Sequence, residues 1–285
     1  MNREYLLDQL IDIAIEEDIS TGDLATNALI GRGERATALI TAKADGVISG
    51  LAVAERVLET ISTEKYLFEP YLQDGDRVAK GDKILKIEGT YRDLLTSERL
   101  MLNFLQRMSG IATATRQMVD LIAGTKAQLL DTRKTVPGHR LTDKLAVKHG
   151  GGTNHRMGLY DMAMIKDNHI KATGGISKAI KQVKSTLPIS VKVEVETTNL
   201  EEVQEALQGG ADIIMLDNMS SEMMKKAVAL IGNNAATEAS GNITHERIRE
   251  VAETGVDFIS VGALTHSVRA LDTVSYTHLD VYKRQ

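Results

Sequence analysis

Hydrophobic and polar positions along this chain follow two rhythms. Residues 1–18, MNREYLLDQLIDIAIEED, set Leu6, Leu7, Leu10, Ile11 and Ile15 at helical spacing among charges, which predicts an amphipathic helix. From about residue 35 to 89 the period shortens. Residues 36–43 alternate and are rich in β-formers, Asp45-Gly46 marks a turn, residues 47–50 are placed to pair back, and 52–61 read as a helix. Asp74-Gly75 and Gly81-Asp82 put glycine turns on either side of a short valine strand, with 84–87 as the next strand. The pattern predicts a small α+β unit with a half-open sheet. Residues 94–105 and 111–122 have helical spacing, and Ser109-Gly110 is expected to separate them into two helices.

After Gly124 the pattern becomes strand then helix, repeated. Strand-like runs fall at 127–130, 162–165, 189–195, 212–216, 236–239 and 258–261, and helical runs at 176–185, 200–207, 222–230 and 245–253. Such alternation specifies a parallel sheet, and its repeat length suits a βα barrel. The chain is expected to divide into an N-terminal domain over 1–110, a barrel domain over 111–272 and a tail over 273–285.

The residues at the C-terminal ends of the predicted strands are Asp131 with Arg133 and Lys134, then Lys166, Glu194, Asp217, Glu238 with Ser240, and Gly262. A βα barrel assembles its active site at that end, so groups from separate strands would converge. Surface charge explains any one of them. It explains poorly the small residues Glu238-Ala239-Ser240-Gly241 and Val261-Gly262-Ala263 at the last two junctions, where barrels place backbone amides around a phosphate.

Composition narrows the classes. The chain has 285 residues, 42% hydrophobic, with net charge −5, enough to bury a sizeable core and poorly suited to bulk nucleic-acid binding. Aromatics at 4% leave little for base stacking, so no nucleic-acid partner is expected. Zero cysteines removes disulfides and thiolate chemistry and suits a reducing cytoplasm. No secretory or membrane-spanning run is apparent. Against the acidic balance, residues 131–169 collect Arg133, Lys134, Arg140, Lys144, Lys148, Arg156 and Lys166. Cations concentrated against the overall charge point to a cavity for several negative charges.

These parts suit one chemistry. Arginine forks grip carboxylates bidentately, so Arg133 and Arg156 suit a di-acid, with Lys134 and Lys166 as point charges. Glu194 and Asp217 are acceptor-only groups suited to Mg²⁺ carrying a pyrophosphate, directly or through water. Ser240, Gly241, Asn242 and Gly262 would take a terminal phosphate. An anionic acid, Mg²⁺-pyrophosphate and phosphate in one site describe phosphoribosyl transfer.

The segments DTRKTVPGHR, HGGGTNHRMGL, MIKDNHI, VKVEVE, IIMLDN, EASGNI and VGALTHS resemble the quinolinate phosphoribosyltransferase family, in order and with natural spacing, from Glu17-Asp18 and Gly22-Asp23 to about Leu271. The resemblance implies an open α/β sandwich joined to an incomplete, seven-stranded TIM-like α/β barrel. It implies conversion of quinolinate and phosphoribosyl pyrophosphate to nicotinate mononucleotide, CO₂ and pyrophosphate in NAD synthesis, with Mg²⁺. It assigns Thr132, Arg133, Lys134, His155, Arg156 and Lys166 to quinolinate, and Glu194, Asp217, Ser240, Gly241, Asn242, Gly262, Ala263 and His266 to phosphoribosyl pyrophosphate. Lys134, Lys166, Glu194 and Asp217 are the implied catalytic set. Arg99 matches an arginine that the family supplies from a neighbouring subunit, implying a homodimer with shared sites. Asn242 stands where relatives frequently have glycine.

Duller readings apply elsewhere. Gly150 to Gly152 read as a linker or loop-shaping run, His139 and His149 as structural or surface groups, and His169 as a cap on a strand end. Histidine spacing fits no zinc pattern. Two other functions fit parts of the sequence. A molybdenum-transport paralogue of the same fold would lack the paired arginines. A Schiff-base aldolase using Lys166 would leave those arginines and the Glu194/Asp217 pair without roles. SYTHLDVYKRQ, residues 275–285, does not resemble the family's closing apolar strand; it reads as foreign, and the closing strand as missing.

Overall fold

The computed structural model describes residues 3–279. Two compact units emerge. One gathers 1–116, 136–151 and 267–285, and the other 117–135 and 152–266. Each unit is assembled from separate stretches of sequence. Segment 136–151 and the chain end join the first unit because their contacts lie there.

Within the first unit, α1 (Arg3–Asp18) and α2 (Leu24–Leu29) precede β1 (Arg35–Ala42), β2 (Gly46–Val47), α3 (Leu51–Ile61), β3 (Leu67–Pro70), β4 (Arg77–Val78), β5 (Lys83–Thr90) and the long α4 (Tyr91–Leu121). Alternation in RATALITA buries Ala36, Ala38, Ile40 and Ala42 on one face of β1. β2 pairs with β4 as a separate ribbon rather than folding back on β1.

α4 is one helix where two were expected. Gly110 does not break it: a Cβ there would lie 2.2 Å from the backbone oxygen of Arg269, so the glycine lets two backbones approach. Ser109 is buried, its hydroxyl donating to Ser49 O at 3.1 Å and accepting from Ser49 N–H at 2.9 Å. α5 (Arg140–His149) holds Asp143, wholly buried, whose carboxylate accepts from Arg107 Nε at 2.9 Å and Nη2 at 2.7 Å. His149 Nδ1 meets Ser49 Oγ at 2.8 Å, and the His139 ring lies 6.1 Å from that of Phe104, so both histidines serve packing. A Cβ on Gly150 would lie 2.5 Å from Ala112 O, which makes this glycine a close-packing position rather than a flexible link.

The tail also departs from expectation. Thr273–Leu279 forms a strand, labelled β12 below, that pairs antiparallel with β1 from Ala42↔Thr273 to Ala36↔Leu279. The sheet order is β12-β1-β5-β3. Backbone pairing to an open edge makes few demands on side chains, so an unfamiliar sequence can supply the closing strand. Residues 280–285 of the atypical segment lie outside the described residues.

The second unit carries β6 (Gln128–Leu130), β7 (Ala163–Ile165), α6 (Asp167–Thr173), α7 (Ile176–Thr186), β8 (Val193–Thr197), α8 (Leu200–Gly209), β9 (Ile213–Asp217), α9 (Ser221–Ile231), β10 (Ala236–Ser240), α10 (Ile248–Ala252), β11 (Phe258–Ser260) and α11 (Ala263–His266). Its strands are parallel in the order β6-β11-β10-β9-β8-β7, an incomplete TIM-like barrel. Among the described residues this sheet has six strands, not the expected seven. The missing position is reduced to one bridge, Leu130↔Thr153. Pairing stops there because the Asp131 carboxylate takes the next donors: Asn154 Nδ2 at 2.6 Å and His155 N–H at 2.9 Å.

Candidate active site

The carboxyl ends of the six parallel strands open onto a cavity of about 740 Å³, within the range of small-molecule sites. Thr132, Arg133, Lys134, His155, Arg156 and Lys166 line it, as do Asp217, Ser240, Gly241, Asn242, Gly262, Ala263 and His266. Residues between Thr132 and His266 are thus brought together by the register of the parallel strands.

Local structure aims several of these groups. After β6, Thr132 Oγ1 accepts the Lys134 N–H at 3.1 Å, and Thr265 Oγ1 donates to Lys134 O at 2.9 Å. The Lys134 stem and the His266 ring lie over Gly262, where a Cβ would come within 3.0 and 3.1 Å of them. Arg156 donates through Nη1 to Met162 O at 3.0 Å and through Nη2 to Met164 Sδ at 3.5 Å, fixing the guanidinium at the cavity wall. Burial and the neighbouring Arg133 charge press its pKa down, while Glu194 and Asp161 favour its cation. Lys166 opens α6, where its N–H donates to His169 Nδ1 at 3.1 Å; His169 is therefore a helix cap.

Glu194 is not at a strand end. β8 continues to Thr197, so Glu194 is its second residue and is completely buried, while Glu196 reaches the cavity and pairs with Lys166 Nζ at 2.9 Å. Both lie on one face of the strand, and depth in the barrel separates them. Asp217 does end β9. Burial pushes its pKa up, the Asn218 hydrogen bond at 2.8 Å opposes this, and the Glu196 charge adds to the rise.

In the lining, His155 Nε2 lies 3.1 Å from Oε2 of the buried Glu194 and 3.3 Å from Oε2 of Glu238, which also lines the cavity. Burial opposes charging the imidazole, and the two glutamates favour a proton on Nε2. Arg156 N–H donates to Nδ1 at 2.7 Å and requires a lone pair there. The ring is then the Nε2–H tautomer, and the cluster's further proton belongs to the carboxylates. Burial, reinforced by the Glu238 charge, pushes Glu194 up to about 7 despite His155. A carboxyl raised in the folded state from 4.5 to about 7 contributes stability that is complete below pH 4.5 and is lost as pH rises through 7. The melting temperature of Glu194→Gln relative to wild type is therefore expected to improve between pH 5 and pH 8. Calorimetry of both proteins across that range checks this, and a constant difference would contradict it.

Also in the lining, Asn218 and Asn242 hold left-handed backbones, φ +54° and +50°, and Gly241 sits at +88°. Asn242 Nδ2 donates to Asn218 Oδ1 at 3.0 Å, and Asn218 Nδ2 donates to Asp217 Oδ2 at 2.8 Å. Asparagine is among the residues that tolerate this conformation, which accounts for its place where glycine is frequent.

Comparison with known proteins matches residues 23–109 to the quinolinate phosphoribosyl transferase N-terminal domain and 111–274 to its C-terminal domain. The chain belongs to the quinolinate phosphoribosyl transferase family. It is 46% identical to quinolinate phosphoribosyltransferase (decarboxylating) 2, mitochondrial, of Nicotiana glauca, covering 94% of this chain and 81% of the relative. It is 47% identical to the chloroplastic nicotinate-nucleotide pyrophosphorylase (carboxylating) of Arabidopsis thaliana, covering 94% and 82%. The structure of NadC from Streptococcus pyogenes superposes with a TM-score of 0.93 at 40% identity, covering 98% of this chain and 99% of that one.

Among the residues that the family resemblance singles out, two stand apart from the cavity lining. Glu194 lies in the barrel interior, and Arg99 is exposed on α4 in the first unit. Sequence reasoning left Glu196, Asn218, Met164, Met215 and Ser260 out of the site. The second glutamate of VKVEVE was the available signal for Glu196, since alternation puts it on the same face as Glu194.

Proposed function

We propose that this chain transfers phosphoribosyl from phosphoribosyl pyrophosphate to quinolinate and releases CO₂, yielding nicotinate mononucleotide and pyrophosphate for NAD synthesis. The observation that carries the reading is one cavity lined together by Arg133, Arg156, two lysines, Asp217, Glu196 and a glycine-containing turn suited to phosphate. Arg133 and Arg156 hold the quinolinate carboxylates and turn the pyridine nitrogen toward the ribose. As pyrophosphate departs, positive charge on the ribose is stabilised by Asp217 and Glu196. The nitrogen lone pair then forms the new bond. The cationic ring accepts the electron pair left by CO₂, so decarboxylation draws on the charge of the substrate itself, and a proton takes the carboxylate's place. Lys134 and Lys166 position the anions. Lys166 Nζ is engaged by Glu196 at 2.9 Å.

Mg²⁺ fits this donor set. Asp217 and Glu196 line one cavity and would offer carboxylate oxygens to a hard cation in place of the Asn218 and Lys166 donors that they meet here. Bound there, the ion would neutralise charge on the pyrophosphate. Glu194, engaged with His155, lies outside the cavity lining. A homodimer completes the reading, supported by the exposure of Arg99 on α4 and its match to a residue supplied by the neighbour. Sedimentation as a monomer at assay concentrations would remove it. No helix among the described residues is long and apolar enough to cross a membrane, and the lack of cysteine supports a reducing compartment such as the cytoplasm, testable by cell fractionation.

One assay tests the core of the proposal. Purified protein with quinolinate, phosphoribosyl pyrophosphate and Mg²⁺ is expected to form nicotinate mononucleotide and CO₂ in equal amounts, with EDTA stopping turnover and Mg²⁺ restoring it. Turnover of nicotinate but not quinolinate would overturn the substrate assignment.

A further inference from the structure

Barrel interiors are ordinarily filled by layers of branched apolar side chains from alternate strands. Here β8 and β10, on either side of β9, contribute Glu194 and Glu238 instead, with residue exposures of 0% and 1%. Apart from His155 and each other, the two carboxylates have no hydrogen-bonding partner among the described residues. Packing alone would be served better by hydrocarbon, because a buried carboxylate loses its hydration and one imidazole N–H replaces little of it. Two such groups converging on one ring need another explanation.

We propose that Glu194 and Glu238 are positioning residues, a seat that locks the His155 ring and through it sets Arg156 for the quinolinate carboxylate. The inference rests on the quinolinate reading of the cavity. His155 is held at four points. Its N–H donates to Asp131 Oδ1 at 2.9 Å, its Nδ1 accepts Arg156 N–H at 2.7 Å, and its Nε2 sits 3.1 and 3.3 Å from the two glutamates. The Nε2 contacts fix the tautomer and the ring plane, and only that tautomer leaves Nδ1 a lone pair for Arg156. If the seat is removed, the ring is free to turn. The backbone at Arg156 then loses its acceptor, and a guanidinium already committed at Met162 O and Met164 Sδ loses its aim. The phosphoribosyl side rests on separate anchors, Asp217, Asn218 and Asn242. Damage to the seat should therefore fall on one substrate.

The three residues could in principle hold a metal ion, since their ligand-type atoms lie within 4.8 Å of one another. A shared hydrogen is the simpler occupant of contacts at 3.1 and 3.3 Å, and the experiment separates the two.

The test uses the full-length protein and the double variant Glu194→Met/Glu238→Met, which fills the layer with hydrocarbon of similar volume. Its melting temperature is expected to equal or exceed that of wild type, as is frequent when buried ionic groups are replaced by apolar ones. Its quinolinate Kd, from calorimetry, is expected to rise at least tenfold, while its KM for phosphoribosyl pyrophosphate stays within about twofold. Glu194→Gln and Glu238→Gln each retain an oxygen that can accept the Nε2 proton, and they are expected to keep quinolinate Kd within about threefold. If the methionine pair fails to fold, Glu194→Ala and Glu238→Ala give the same split of substrate affinities. An unchanged quinolinate Kd, or equal losses for both substrates, would overturn the seat. So would a stoichiometric metal in purified wild type that is lost in Glu238→Gln, since the residues would then be ligands. Failure of wild type itself to bind quinolinate would instead refute the substrate reading.

Discussion

Arg156→Ala is expected to weaken quinolinate binding about a hundredfold while leaving phosphoribosyl pyrophosphate binding within a few-fold of wild type. The side chain lines the cavity and is fixed by Met162 O at 3.0 Å and Met164 Sδ at 3.5 Å, so its remaining donors are preorganised. Hydrogen bonds to a charged partner contribute about 1.5–3 kcal/mol each, and a hundredfold loss corresponds to about 2.8 kcal/mol. Removing the guanidinium also strips a cation from beside Glu194, whose charge it balances. Arg156→Lys should recover only part of the affinity, because a point charge cannot form the planar fork. Calorimetric titration with each substrate separately checks the expectation. Equal losses for both would mean that Arg156 supports the cavity generally and does not clamp a carboxylate.

The largest effect on stability is expected at a residue far from any chemistry in sequence. In Gly110→Ala the new methyl would lie 2.2 Å from Arg269 O and 3.0 Å from Ala270 Cα. Backbone atoms cannot rotate aside as a side chain does, so α4 or the segment before β12 must move. Overpacking of this kind costs about 1–3 kcal/mol and occasionally more. The upper end applies here because the obstacle is main chain, and it corresponds to a melting temperature lower by roughly 6–12 °C in a chain of this size. Gly81→Ala, where a Cβ meets nothing within 4 Å but φ is +97°, provides the comparison: strain without collision. If Gly110→Ala melts at or above the Gly81→Ala temperature, close approach is not the reason for the glycine.

These two residues differ in how visible they were. Arg156 was legible because its chemistry, its neighbours in HGGGTNHRMGL and the charge anomaly all pointed one way. Gly110 was read as a helix break, since glycine lowers helix propensity and nothing local reveals a neighbour 159 positions away. The same limit governs β12, whose sequence lacks the family's apolar pattern yet finds the open edge of β1.

Glutamates 194 and 196 show the limit within the site itself. Sequence by itself determined the alternation of strand and helix, the barrel class, the cations after β6 and β7, and the small residues after β10 and β11. Those features are local, set by periodicity and by the residue types that a function requires. Alternation also places Glu194 and Glu196 on one face of β8, but it is silent on depth. The tertiary structure decided which reaches the cavity and which is sealed beneath it against His155 and Glu238, because depth depends on where neighbouring strands begin and how far each extends.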